Sequence, residues 1–366
     1  MEKLLNSSIK ERGQAVVSRG TSISSLNSGN ALAGAIVKAL ILFALLMPDP
    51  AIAAADRAGF SGVEFYGSSQ LSRVELDKFL RLKPGATYES GEKAFLRLQE
   101  ELAKKNVKAH TEIVPGEGGN YYISVDVVDS GINSTLPNRR LENAHHINLK
   151  NEKPFGLLAE LRARLTKVQQ EGRAATENYQ QGIRYYSDIP ATRIAERIMQ
   201  EMEGQEGGIY RILSTDPNGE RRADAVELLN WTAPYVANCA QLIPALDDSD
   251  VRVRSAAAKY LWSHIADLPN DFPFDALAEG LSHQLARPSH HDRLRAMYAL
   301  VALAKRDSDS ITAIKSYDEV KLKEIANSSV IPDIQKLAEM LVKGISNPPP
   351  LKKRVHGGAL DTTPEY

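Results

Sequence analysis

The second half of this chain repeats itself, and internal repetition limits the possible folds more than any other feature of a sequence. The segments RRADAVELL (Arg221–Leu229), VRSAAAKYL (Val253–Leu261) and DRLRAMYAL (Asp292–Leu300) share one pattern. In each, Ala follows an Arg by three residues and Leu follows by four more: Arg222/Ala225/Leu229, Arg254/Ala257/Leu261 and Arg293/Ala296/Leu300. A degenerate fourth copy runs through Gln335, Ala338 and Val342, so the offsets are 32, 39 and 42 residues. Such offsets belong to stacked helix pairs, each of which buries its apolar face against its neighbours. The small Ala lets paired helices approach, and the Leu fills the groove between them.

Ahead of the second copy, CAQLIPALDDSD (Cys239–Asp250) supplies a partner helix and a turn, with Leu242, Ile243 and Leu246 on its apolar face. The stretch LIPALDDSDVRVRSAAAKYL resembles a HEAT repeat, through Asp250, Val253, Arg254 and Ala257. The resemblance covers about 220–345. It implies an α-solenoid in which the Asp and Arg pair to hold the turn and the next repeat. Arg222, Asp250, Arg254, Ala257, Leu261 and Arg293 are therefore assigned to structure. A solenoid offers an extended surface to another macromolecule.

The 366 residues suggest more than one domain, at about 150 residues each. Residues 1–55 read as an export signal: Lys38, the uncharged run Ala39–Met47, then Pro48, Pro50 and the small-residue sites at Ala51–Ala53 and Ala53–Ala55. The apolar run is shorter than the roughly 20 residues that span a bilayer. This places the protein in the periplasm or another extracytoplasmic space, with no membrane span once the signal is removed.

Residues 60–129 read as a small α+β domain. Val63 and Phe65 alternate with Glu64 and Tyr66, as in a half-buried strand. Ser72 and Glu75 form a capping box for a helix that ends at Pro84-Gly85, and Phe95, Leu98 and Leu102 mark a second helix. Val107, Ala109, Thr111 and Ile113 alternate with polar residues, a turn follows at 115–120, and Tyr121, Ile123, Val125 and Val127 alternate again. The expected order is β-α-α-β-β, a three-stranded sheet with two helices on one face.

Gly67, Leu80, Leu82, Pro84, Gly85, Ala94 and Leu98 stand in a series that resembles a POTRA domain, the polypeptide-transport-associated module. The resemblance implies a domain that binds other polypeptides outside the inner membrane, often by adding a strand to a sheet edge. Val107, Ala109, Thr111 and Ile113 are then the candidate partner-binding residues. A single copy with no following β-barrel pattern argues against a transporter.

Residues 130–156 read as a polar linker, and 157–345 as a helical region whose repeats are clearest over 220–345. Residues 346–366, with Pro348-Pro349-Pro350, read as a disordered tail. His145-His146 reads as a solvated pair, His290-His291 as a capping or exposed pair, and Trp231, Tyr260 and Trp262 as core aromatics. Cys239 is the only cysteine, which excludes an intramolecular disulfide and a cysteine-rich metal site. The net charge of −1 points to no nucleic-acid surface. Nucleophile elbows, zinc-protease motifs and phosphate loops are absent, so no catalytic residue, metal or cofactor is expected. The reading is an exported, non-enzymatic adaptor with a protein partner in the cell envelope. Its alternatives are an enzyme on a HEAT-like scaffold, such as a bilin lyase, and a purely structural envelope protein.

Overall fold

The computed structural model describes residues 59–66, 71–116, 119–128, 136–139, 141, 144–180, 183–306 and 308–346. The proposed export segment 1–55, Gly67 and the tail from 347 onward lie outside the described residues. A small sheet domain is followed by a mostly helical region, and all described residues fall within one unit.

The sheet domain runs β1 (Phe60–Tyr66), α1 (Arg73–Leu80), α2 (Tyr88–Lys104), β2 (Ala109–Pro115) and β3 (Tyr121–Val127). Its start signals act locally: Ser72 Oγ accepts from the Glu75 amide at 3.3 Å, while the Glu75 carboxylate accepts from the Ser72 amide at 3.0 Å. Gly85, at φ +80°, turns the chain after Pro84 so that its N–H reaches Phe60 O at 2.8 Å. Strand order is β1-β3-β2, with β1 parallel and β2 antiparallel to the central β3. Val63, Ile123, Val125 and Val127 pack with Leu76, Leu80, Ala94 and Leu98 to make the core on the α1/α2 face.

Alternation in β1 and β3 predicts a solvated second face, and here the structure differs. All seven residues of β3 are buried, among them Ser124 and Asp126, and so is Glu64. The polar face docks on the far end of the helical stack, which supplies partners for its charges. Glu64 accepts from Ser329 Oγ and from the Val330 amide, both at 2.8 Å, and Asp126 pairs with Arg293 at 2.5 Å. The Arg293 guanidinium also lies 3.8 Å from the centre of the Tyr66 ring. Pairing of this kind is what allows charge to be buried at all.

The helical region comprises α3 (Lys153–Gln170), α4 (Ile189–Met202), α5 (Glu206–Thr215), α6 (Gly219–Leu228), α7 (Tyr235–Leu242), α8 (Val251–His264), α9 (Phe274–Ala286), α10 (His290–Ala304), α11 (Ser308–Ser328) and α12 (Pro332–Ser346). Helices α6, α8, α10 and α12 stack in series, and Ala225, Ala257, Ala296 and Ala338 are fully buried among them. Arginines link the turns between repeats. Arg222 makes two bonds to Asp248, at 2.5 and 3.1 Å, and also donates to Asp216 O at 2.8 Å. Arg254 repeats this arrangement, pairing with Asp292 at 2.6 Å and donating to Asp248 O at 2.8 Å.

The described residues 136–139 and 144–149 are held along these turns. The Arg139 amide donates to Asp247 O at 2.8 Å, and the His145 amide donates to Thr215 O at 3.0 Å. Thr215 and Asp247 precede the equivalent aspartates Asp216 and Asp248. Arg139 and His145 therefore lie against successive turns of the stack. A hairpin, β4 (Glu177–Gln180) and β5 (Ile183–Tyr186), interrupts the helices where helical periodicity gives no sign of strands.

Candidate polypeptide-binding edge

A sheet edge can bind an extended chain only if its backbone groups are unpaired and reachable. The outer edge of β1 does not qualify. Arg73 Nη1 donates to Val63 O at 2.9 Å, the Phe60 amide donates to Ala86 O at 2.9 Å, and Gly59 bridges Thr87.

Among the described residues, the outer edge of β2 does qualify. The Val128 amide donates to Lys108 O and the Gly116 amide to Asn120 O, both at 2.8 Å. In the β2–β3 register these are the even-numbered residues of β2, so His110, Glu112 and Val114 direct their backbone groups to β3. Ala109, Thr111 and Ile113 direct theirs outward. Pro115, which has no N–H, also falls at an outward position, where it costs the ladder nothing. Beside this edge lies a cleft of about 520 Å³, with Gln99, Leu102 and Ala103 of α2 on one wall and residues 107–111 on the other.

Three of the four candidate partner-binding residues thus lie along one open edge. The fourth, Val107, lies before the strand: its amide donates to Leu102 O at 2.9 Å and closes α2, after Asn106 turns the chain at φ +55°. Thr111 accepts from Gln99 Nε2 at 3.3 Å, which fixes the side chain against α2. On the opposite face Glu112 lies 3.3 Å from His291 Nε2, and burial raises its carboxyl above the ordinary range.

Among the repeat residues, Arg222, Arg254, Ala257, Leu261 and Arg293 are all buried. Asp250 is placed differently from the implied pairing with Arg254. It caps α8 by accepting from the Arg252 amide at 2.9 Å and pairs with the Arg252 side chain at 2.8 Å. The acid that reaches back to the preceding repeat is two residues earlier, at Asp248, which Arg222 holds. Asp-Pro-Asn at 216–218 and Asp-Ser-Asp at 248–250 share that spacing, each with Arg six residues after the first Asp, a signal present in the sequence.

His290 and His291 divide. Ser289 is the cap of α10, accepting from the Asp292 amide at 3.3 Å. His291 is exposed beside Glu112, whereas His290 is buried, a correction to the expected exposed pair. Burial, with Arg293 nearby, holds the His290 imidazole down at about 3. His146 is exposed but pairs with the fully buried Asp216 at 2.9 Å. Trp231, Tyr260 and Trp262 are core residues: the Trp231 indole donates to Arg184 O at 2.9 Å, and Trp262 stacks on Tyr298 at 5.2 Å. The Cys239 thiol is buried, which pushes it up to about 12 and leaves it protonated. Among the described residues no group of His, Cys, Asp and Glu could hold a metal ion, and no helix is long and apolar enough to cross a membrane.

No family model matches this chain, and no curated protein matches it. Solved structures that match include a designed armadillo repeat protein, at 19% identity over 43% of this chain and 77% of that one, with a TM-score of 0.32.

Proposed function

We propose that this protein is a non-enzymatic adaptor of the cell envelope that captures an extended segment of another polypeptide at the outer edge of β2. The POTRA-like order of elements and the signal-like sequence of residues 1–55 support the reading. The observation that carries it is the parity of β2, which leaves Ala109, Thr111 and Ile113 with outward backbone groups beside a cleft. Each backbone hydrogen bond to an incoming strand contributes about 0.5–1.5 kcal/mol, so affinity accumulates along the edge. The cleft walls then select side chains at alternate positions.

Thr111→Pro tests this reading. Proline at an outward position removes a donor from the free edge and leaves the β2–β3 ladder whole. Affinity capture from native cells should recover envelope proteins with the full-length chain and with Thr111→Ala, and lose them with Thr111→Pro. Equal capture by all three would contradict the reading.

A further inference from the structure

The β4–β5 hairpin lies across the inner helices of the stack. β5 sits over the end of α6, where the Trp231 indole donates to Arg184 O and the Arg184 side chain lies 3.3 Å from Glu227. β4 sits over α8: Glu177 pairs with Lys259 at 3.0 Å, and the Tyr179 ring packs on His264 at 5.4 Å between centres. Burial alone would raise Glu177, but Arg184 and Lys259 beside it hold its carboxyl down at about 2. An extended strand thus already lies on this surface and presents a carboxylate to a cation of an inner helix.

The next inner helix is α10, stacked on α8 through Arg254–Asp292 and Trp262–Tyr298. By the offset of 39 residues, its Tyr298 stands where α8 has Lys259, and its Arg295 stands where α8 has Ala256. Arg295 is half-buried, and no hydrogen bond or ion pair to its guanidinium is present among the described residues. Burial lowers its affinity for the proton; the carboxylate that opposes this is Glu177, which is already bound by Lys259 and Arg184. A partly desolvated guanidinium without a counter-ion is a costly arrangement that a carboxylate relieves.

Among the described residues, no backbone hydrogen bond is made to the outer edge of β4. The Ser187 amide donates to Thr176 O at 2.8 Å, which sets the parity of the hairpin and leaves Glu177 and Tyr179 with outward backbone groups. We infer that an extended polypeptide segment bearing a carboxylate side chain adds to β4 as a third strand, lies over α10 and pairs with Arg295. This surface is separate from the β2 edge and does not depend on it.

The probe is the blocked heptapeptide Thr-Val-Tyr-Glu-Tyr-Val-Thr, beside its Gln counterpart and a version N-methylated at alternate residues. Binding to the full chain is read by isothermal titration calorimetry, which leaves Trp231 and its bond to Arg184 O in place. The Glu peptide should bind on the order of ten-fold more tightly than the Gln peptide, the range of one charge-assisted contact. Arg295→Gln should remove that difference, Arg295→Lys should keep part of it, and N-methylation should abolish binding. Thr111→Pro should leave all of this unchanged, so this site and the β2 edge can fail separately. Equal binding of both peptides, an undiminished preference in Arg295→Gln, absence of binding, or a preference for a single-stranded oligonucleotide over the Glu peptide would each overturn the inference.

Discussion

Asp126, at the centre of the sheet domain, forms a buried ion pair with Arg293 of α10, 167 residues later in the chain. Arg293 is the third member of the series in which Arg222 reaches Asp248 and Arg254 reaches Asp292. The first two find their acid in the following repeat; the third finds it in the sheet. The α+β domain therefore closes the end of the helical stack by supplying the aspartate another repeat would have brought.

Removing one partner of that pair leaves the other buried and unpaired. Asp126→Ala should lose about 3–5 kcal/mol in urea unfolding, and Arg293→Ala a similar amount. A double-mutant cycle should show the two losses to be strongly non-additive. Additive losses would mean that the two residues act independently.

The same logic separates two neighbouring acids. Asp248 is fully buried and held by Arg222, while Asp250 is half-buried and caps a helix. Asp248→Ala should cost about 3–5 kcal/mol and Asp250→Ala about 1 kcal/mol. Comparable losses would mean that Asp250 contributes as much as the buried Arg222–Asp248 pair.

His290 predicts an acid-sensitive fold. Its folded value near 3 lies below the ordinary 6.5, so the neutral form is the one that folding favours. The stability this confers is present above pH 6.5 and declines as pH falls toward 3, by about 1.4 kcal/mol per pH unit. His290→Gln should flatten the profile between pH 6.5 and 4.5, before most carboxylates titrate. Chemical denaturation at a series of pH values measures it; an unchanged slope would show that His290 protonates without cost.

Gly91 lets α2 approach β3. A Cβ there would lie 2.6 Å from Cζ of Tyr121, whose hydroxyl is held by Thr87 O at 3.0 Å. Gly91→Ala should destabilise by about 1–3 kcal/mol, and Tyr121→Leu should recover part of that loss. Thermal unfolding of the two variants and their combination decides it.

The order of the small domain was legible because its signals are local: the Ser72–Glu75 box, the Pro84-Gly85 stop and strict alternation in three strands. The buried second face was not. Glu64 and Asp126 look like solvent-facing residues until the α11–α12 turn and α10, more than 160 residues away, supply their partners, and alternation carries no information about that distance. The hairpin escaped because ENYQ and IRYY are short, polar and flanked by helices, so neither period is sustained. At the candidate site, alternation did find Ala109, Thr111 and Ile113. It cannot show which edge of the sheet is open, because strand order depends on β1 pairing with β3 across the two helices. It also extended the strand to Val107, where the exit of α2 uses the backbone instead.

Amide hydrogen exchange along β2 tests the central claim most directly. In the free protein His110, Glu112 and Val114 should be protected, while Ala109, Thr111 and Ile113 exchange rapidly. Saturation with the captured envelope partner should protect those three and leave the β1 edge unchanged. Protection of Ala109, Thr111 and Ile113 in the free protein, or their continued rapid exchange at saturation, would contradict strand addition at this edge.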